Sequence, residues 1–277
     1  MRIRKLTKLY FKYVAQYLKS LMAYRVDFFT GLIGFSFLQI TGVIFITLVF
    51  NSIPSLQGWN FYEILFIYGF AQLPRGLDHI FTDNLWLISS WLIADGDFDR
   101  YLLRPINPLF QVIAERFQMD GFGEFVIGVI LVVTASINLS INYTVDKFAV
   151  LILTSISGAL IITSLKMIIA SIAFWTKRSG GLLQTVYSFN EFCYYPVTIY
   201  NKALQFVLTF ILPFALTSYF PATYILGKQN LIWALAVPVG VSILFILFSY
   251  RLWCSGINHY ESAGSWFFFV DDFIFCV

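Results

Sequence analysis

The residues that could do chemistry in this sequence are few, and their placement decides of what kind. Lys166 is the single charged side chain in the apolar run from Phe148 to Trp175. A lysine at mid-membrane costs about 2.5–3.5 kcal/mol on insertion scales, so a function should attend it. It lies about 13 Å, at 1.5 Å per residue, from the cytoplasmic end of its run. From there it either faces a transport path or snorkels to the inner headgroups, and the sequence leaves both readings open. Pro213 interrupts the uncharged run Ala203–Phe220. It removes a backbone hydrogen bond and should kink a helix there, and irregular backbone at such depth should face protein or a cavity. Lys166 and Pro213 are therefore the candidates for a translocation path. Glu63 and Glu124 stand near the ends of their apolar runs, where simple solvation accounts for them, and a lone surface histidine such as His79 reads as structural.

Catalytic patterns are missing from the sequence. Gly227-Lys228 is followed by Gln229, and no glycine sits at the earlier position that a phosphate-cradling loop requires. Neither HExxH nor GxSxG occurs, the two histidines are His79 and His259, and Cys193, Cys254 and Cys276 show no CxxC spacing. The expectation is a chain that is not an enzyme and has no catalytic residue, no metal and no cofactor of its own. A net charge of +3 is too small to suggest nucleic acid.

The elements that must position these residues follow from composition. Of 277 residues, 59% are hydrophobic and 12% charged, against roughly 45–50% and about 25% for soluble domains; with a mean hydropathy of +0.77, the chain belongs in a membrane. Long uncharged or nearly uncharged runs predict an all-α polytopic protein with six transmembrane helices, at about 28–50, 61–82, 121–138, 148–175, 202–220 and 231–253. A helix unbroken from Phe61 to Ala94 would reach about 51 Å, too long for one crossing, so the second span should leave the membrane near Pro74-Arg75-Gly76 or project well beyond it. Lys and Arg concentrate in the leader, in the connection after the second span, at Lys177-Arg178 and at Arg251. Both termini are then cytoplasmic. The domain reading is a leader (1–27), a six-helix membrane domain (28–253) with a charged loop at 96–118, and a cytoplasmic tail (254–277).

In the leader, Arg4, Lys5, Lys8, Lys12 and Lys19 share one helical sector, opposite Ile3, Leu6, Leu9, Tyr13 and Leu21. This is the pattern of an amphipathic interfacial helix, its lysines toward anionic headgroups. A topogenic charge cluster that happens to be helical would carry the same residues. The segment Leu182–Tyr200, with Asn190 and Glu191 in its centre, reads as an interfacial or re-entrant helix on the inner side.

Between the second and third spans runs Gly96-Asp97-Phe98-Asp99-Arg100-Tyr101-Leu102-Leu103-Arg104-Pro105-Ile106-Asn107-Pro108-Leu109-Phe110. Asp97 or Asp99 can cap a helix, and Pro105 and Pro108 forbid a continuous one. The expected form is a short helix held to the membrane surface by Leu102, Leu103 and Phe110, exposing Asp99, Arg100 and Arg104. Composition alone leaves a docking surface and an ordinary solvated loop evenly matched.

That stretch resembles the signature of a bacterial family of six-span ABC exporter permeases of the type-2 class. Tyr195-Pro196-Val197-Thr198-Ile199-Tyr200, Leu212-Pro213-Phe214-Ala215, Tyr219-Phe220-Pro221-Ala222 and Tyr260-Glu261-Ser262-Ala263-Gly264 resemble it too, in matching order. The resemblance implies a permease of the cell membrane that pairs with a second permease, either another copy or a paralogous chain, and with two ATP-binding subunits that hold the ATP and Mg. It assigns Asp97, Asp99, Arg100, Arg104, Pro105 and Pro108 to coupling with the ATPase, and implies export of peptides, drugs or lipids. Ser265–Val277 extends past the point where the resemblance stops, as an interfacial aromatic anchor or an appendage. A secondary transporter without an ATPase partner is the alternative; it should show paired mid-membrane ionisable residues, and Lys166 has no evident partner in the sequence.

Overall fold

A computed structural model of the chain describes residues 25–116 and 120–262, with Gln118 and, in the leader, Tyr10, Lys12, Tyr13, Ala15, Gln16 and Lys19. Lys5 and Lys8 of the leader and Ser265–Val277 lie outside the described residues; Lys12 and Lys19 are helical. The architecture is all-α. In chain order the helices are α1 (Arg25–Ser52), α2 (Phe61–Thr82), α3 (Leu85–Leu87, prolonged by a π turn at Ile88–Leu92), α4 (Asp99–Leu102), α5 (Pro108–Glu115), α6 (Asp120–Asn138), α7 (Val145–Thr176), α8 (Gly180–Asn190), α9 (Lys202–Phe206, with a π turn at Val207–Ile211), α10 (Tyr219–Ile225) and α11 (Val237–Asn258, preceded by a π turn at Ile232–Ala236).

By length and composition, three helical stretches among the described residues can cross a membrane: Gly121–Asn138, Val145–Thr176 and Ile232–Asn258. A bent pair, Lys202–Ile211 with Phe214–Ile225, would make four, and Gln39–Ser52 is a shorter apolar helix. Helix α2 is not among them because Glu63, Arg75, Asp78 and His79 lie along it. Nearly every side chain from Ile64 to Leu73 is nonetheless buried, since α2 is the central helix, packed by α1, α6, α7 and the 191–194 turn. Asn60 and Glu63 close a reciprocal capping box at its start. The helix has the bounds expected of the second span: it passes through Pro74 to Thr82, and the break falls at Asp83–Asn84, where the Asn84 side-chain amide donates to the Val112 carbonyl at 2.6 Å.

The closest contact in the bundle is α2 against α6, an antiparallel pair in which Gly69 lies on Gly128 and Gly76 on Gly121. A Cβ added at Gly76 would come within 2.8 Å of the Phe125 backbone nitrogen and 2.9 Å of the Gly121 carbonyl oxygen. Small residues on both partners let helix backbones touch. Gly76→Ala would ordinarily gain helix propensity, but here the new methyl meets backbone that cannot swing aside. It should therefore destabilise by about 1–3 kcal/mol, whereas Gly240→Ala, with open space around it, should be neutral or slightly stabilising. Melting temperatures in mild detergent test the pair, and equal values would refute the packing argument.

The bundle has two ends. At the loop end Lys228 pairs with Glu63 at 2.8 Å and stands over Trp59, Tyr224 bonds Asp146 at 2.5 Å, and the Trp59 indole donates to Thr198 at 3.1 Å. At the other end the Ser179 amide bonds the Ser89 carbonyl at 2.8 Å, and Gln118 bonds Ile80 at 3.2 Å. Residues 180–199 therefore run the full length of the bundle, from Ser179 to Thr198, rather than lying on the inner face. The 202–220 segment, expected as a crossing, belongs to a bent pair of short helices whose two ends lie at the same end of the bundle. It starts beside Thr198, turns by 76° at Leu212-Pro213, touches Gly158 half-way along α7 through Thr217, and returns to the loop end at Tyr224 and Lys228. The cause is local. A residue before proline is driven from helical backbone, Leu212 sits at φ −114, ψ 85, and the helix ends there, so Pro213 starts a new helical direction 76° from the first where a kink within one helix was expected.

Candidate functional site

Two constellations carry the chemistry of the fold, and the first is the 96–118 loop. Gly96 adopts φ +80, which an L side chain resists, and so turns the chain out of the π segment into α4. Phe98 and Tyr101 then point inward and are fully buried. The Phe98 ring meets Phe174 of α7 edge-on at 5.2 Å, Trp253 of α11 at 6.1 Å and Tyr260 at 5.1 Å, forming an aromatic wedge between two long helices. Asp99 accepts hydrogen bonds from Tyr260 Oη at 2.9 Å and Ser262 Oγ at 2.6 Å. Gln111 Nε2 donates to the Tyr101 and Ile106 carbonyls at 3.0 and 2.7 Å, and Asn107 caps α5. Arg100 pairs with Glu115 at 3.4 Å, and the Tyr101 hydroxyl donates to Glu115. Burial, reinforced by that carboxylate, pushes the phenol up to about 12, so it remains a donor throughout the physiological range.

What remains outward is a short strip. Asp97, Arg100, Leu103, Arg104 and Pro105 are exposed, Leu103 at 85% of its surface, and Arg104 donates across 3.5 Å to the Tyr13 hydroxyl of the leader. The anchoring differs from the expected form. Phe98, Tyr101 and the buried Pro108 fasten the loop to the bundle, and Leu103 takes no part in that packing. Asp99 is partly buried and fastens the end of the described chain to α4. A pattern of apolar residues cannot reveal which of two adjacent leucines faces outward once aromatic residues have taken the inner positions.

The second constellation is buried within the bundle. Lys166 of α7 is 1% exposed, its Nζ 2.8 Å from Asp78 and 3.4 Å from Asp83. Asp78 also accepts from Thr82 at 2.6 Å, Thr163 at 2.8 Å and Tyr187 at 3.2 Å. Glu124 of α6, equally buried, meets His79 Nδ1 at 2.8 Å, Gln39 of α1 at 3.3 Å and Arg75 Nε at 3.5 Å. Gln72 donates to Gln39 at 2.6 Å, and the Tyr187 hydroxyl lies 2.7 Å from His79 Nε2. One polar network thus ties α1, α2, α6, α7 and α8.

Several expectations change accordingly. Lys166 does have partners, and it neither snorkels nor faces an open path in this structure. Glu124 is not a solvated interfacial carboxylate, and His79 is part of a buried pair. Pro213 is buried at the bend and makes no contact with Lys166 among those described. A signal was present in the sequence: Gln72, Arg75, Asp78 and His79 follow i, i+3, i+4 spacing on one face of α2. Hydropathy scores these residues only as interruptions of the 61–82 run and does not register that they share a face. Among the described residues no group of three His, Cys, Asp or Glu could hold a metal ion.

The family model described as an ABC-2 family transporter protein matches residues 36–264, from α1 through the described end of the chain, both constellations included. No curated protein and no solved structure matches.

Proposed function

The chain belongs to the ABC-2 family of transporter proteins, and from that membership we propose that it is the permease subunit of an ATP-driven exporter, working with a second permease and two ATP-binding subunits. An ABC-2 permease is a membrane component whose partners include ATP-binding subunits. The observation that carries the reading is the strip Arg100–Pro105, which stands clear of the bundle on a wedge that touches both α7 and α11. A downward push on the strip would reach two membrane helices through Phe98 without deforming the loop, because Gln111 and Asn107 fix its shape. Asp97, Arg104 and Pro105 would meet the ATPase, while Asp99, Arg100 and Pro108 would hold the strip in place.

In this reading six segments cross the bilayer, namely α1, α2, α6, α7, residues 180–199 and the stretch 232–258, and 202–225 dips in from outside and returns. Arg100, Arg104, Arg116, Lys177, Arg178 and Arg251 gather at the end bearing the strip, which favours a cytoplasmic position for that end and for both termini. Nucleotide-driven closure of the ATPases would reorient the helices between inward- and outward-open states. The buried network makes α2, α6 and α7 move together, since parting Lys166 from Asp78 would leave unpaired charge in a low-dielectric interior. ATP and Mg would be held by the partner subunits.

The test is purification of the chain from its own membrane in mild detergent. An ATP-binding subunit should accompany it, in comparable amount and retained through size-exclusion chromatography. Recovery of the chain with no ATPase would overturn the proposal and favour a transporter driven by other means.

A further inference from the structure

Residues 180–199 differ from the other long elements in what they turn outward. The exposed faces of α6, α7 and α11 present Val126, Ile130 and Val133, then Ile152 and Ile156, then Leu244, Leu247 and Phe248. The outward face of α8 and the turn after it presents Leu182 and Phe192 but also four polar residues, Gln184, Thr185, Ser188 and Glu191. Thr185 and Ser188 donate to carbonyls of their own helix and could tolerate lipid. Glu191 could not, since an ionisable group within the membrane should face protein or water. Its height is set by its neighbours, because Tyr187 stacks on His79 and Tyr194 packs on Tyr68, so Glu191 stands half-way along α2.

No ion pair joins Glu191 to another of the described residues. Arg75 feels its charge but is committed to Glu124 and held between the rings of Tyr187 and Tyr194, 5.4 Å from each centroid. Beside Glu191 lie Phe192, 39% exposed, and its ring partners Phe189 at 5.9 Å and Tyr200 at 5.5 Å. A second copy applied to this face through a two-fold axis would set Glu191 against its own copy or against Gln184, Thr185 or Ser188, none of which brings a positive charge. An exposed carboxylate next in sequence to an exposed aromatic ring instead suits an organic cation, which charge and the ring quadrupole can bind together.

We propose that this face lines the translocation path and that Glu191 with Phe192 binds the positive group of an amphiphilic cationic cargo. The inference rests on the permease reading and adds the class of cargo. It is tested on the chain purified with whatever accompanies it, by equilibrium binding of tetraphenylphosphonium and of tetraphenylborate, ions of like shape and opposite charge. The cation should bind at least about ten-fold more tightly than the anion, and Glu191→Gln should weaken it by about ten-fold, the size of one charge-assisted contact. Phe192→Leu should weaken it by about three-fold. Retention of the ATP-binding subunit by each variant verifies its fold and assembly. Equal binding of the two ions, or unchanged binding in Glu191→Gln, would overturn the cargo assignment. So would Glu191→Cys cross-linking two copies in the same yield with and without the cation, which would give the face to a subunit contact. If no ATP-binding subunit accompanies the chain, the permease reading falls whatever the probes do; if it does and the ions bind alike, the cargo assignment alone falls.

Discussion

Lys166→Ala should cost the folded permease roughly 3–5 kcal/mol, the range for removing one partner of a buried ion pair. Asp78 has no exposure to relieve it and would keep a negative charge facing Thr82, Thr163 and Tyr187, which can donate hydrogen bonds but bring no positive charge. Asp83, 24% exposed at its side chain, can turn to water and adds less. Neutralising both ends at once tests whether the loss comes from the orphaned charge rather than from lost volume: Lys166→Met with Asp78→Asn should recover much of the stability. Melting in mild detergent, followed by monodisperse recovery, reads both variants. A Lys166→Ala protein as stable as wild type would mean that the network is incidental.

A second large effect is expected at the surface, with the opposite signature. Leu103→Asp, alone or with Arg104→Glu, alters side chains that touch almost nothing in the bundle, so insertion should be unchanged and stability should shift by no more than about 0.5 kcal/mol. If the strip seats in the ATPase, Leu103 is the apolar anchor of that contact, and anchors of this kind are worth about 2 kcal/mol or more, a loss of some thirty-fold in affinity. Transport should fall by at least about ten-fold while the permease itself remains folded. Transport at the wild-type rate in the double variant would withdraw the coupling role from the strip.

The two variants also separate what the sequence could reveal from what it could not. A membrane protein of helices is legible in 59% hydrophobic residues, and the charged, proline-bracketed loop marks out Asp97–Pro108 by its residue types alone. Hydropathy, however, counts residues and not their neighbours. It cannot see that α2 is sheathed on all sides and is therefore free to carry Arg75, Asp78 and His79, so the partners of Lys166 stay hidden although they lie in plain sequence. The same blindness exchanged two segments. Residues 203–220 are apolar enough to cross yet break at Pro213 and bend by 76°, while 180–199 extend the length of the bundle under a polar face that lowers their hydropathy. Direction and coverage are tertiary properties, and one chain's composition holds neither.

The sheathing of α2 has a consequence for the order in which the protein is made. In the bilayer reading proposed here, α2 leaves the ribosome early with Arg75 and Asp78 in its length. Each charge placed alone in lipid costs about 2.5–3.5 kcal/mol on insertion scales. The groups that neutralise them, Glu124 and Lys166, are synthesised later, as is Gly128, against which α2 packs backbone to backbone. Helix α2 cannot then settle into the bilayer as an independent hairpin with α1. It must wait at the insertion site until α6 and α7 arrive, so that biogenesis of this half of the protein is a single cooperative event.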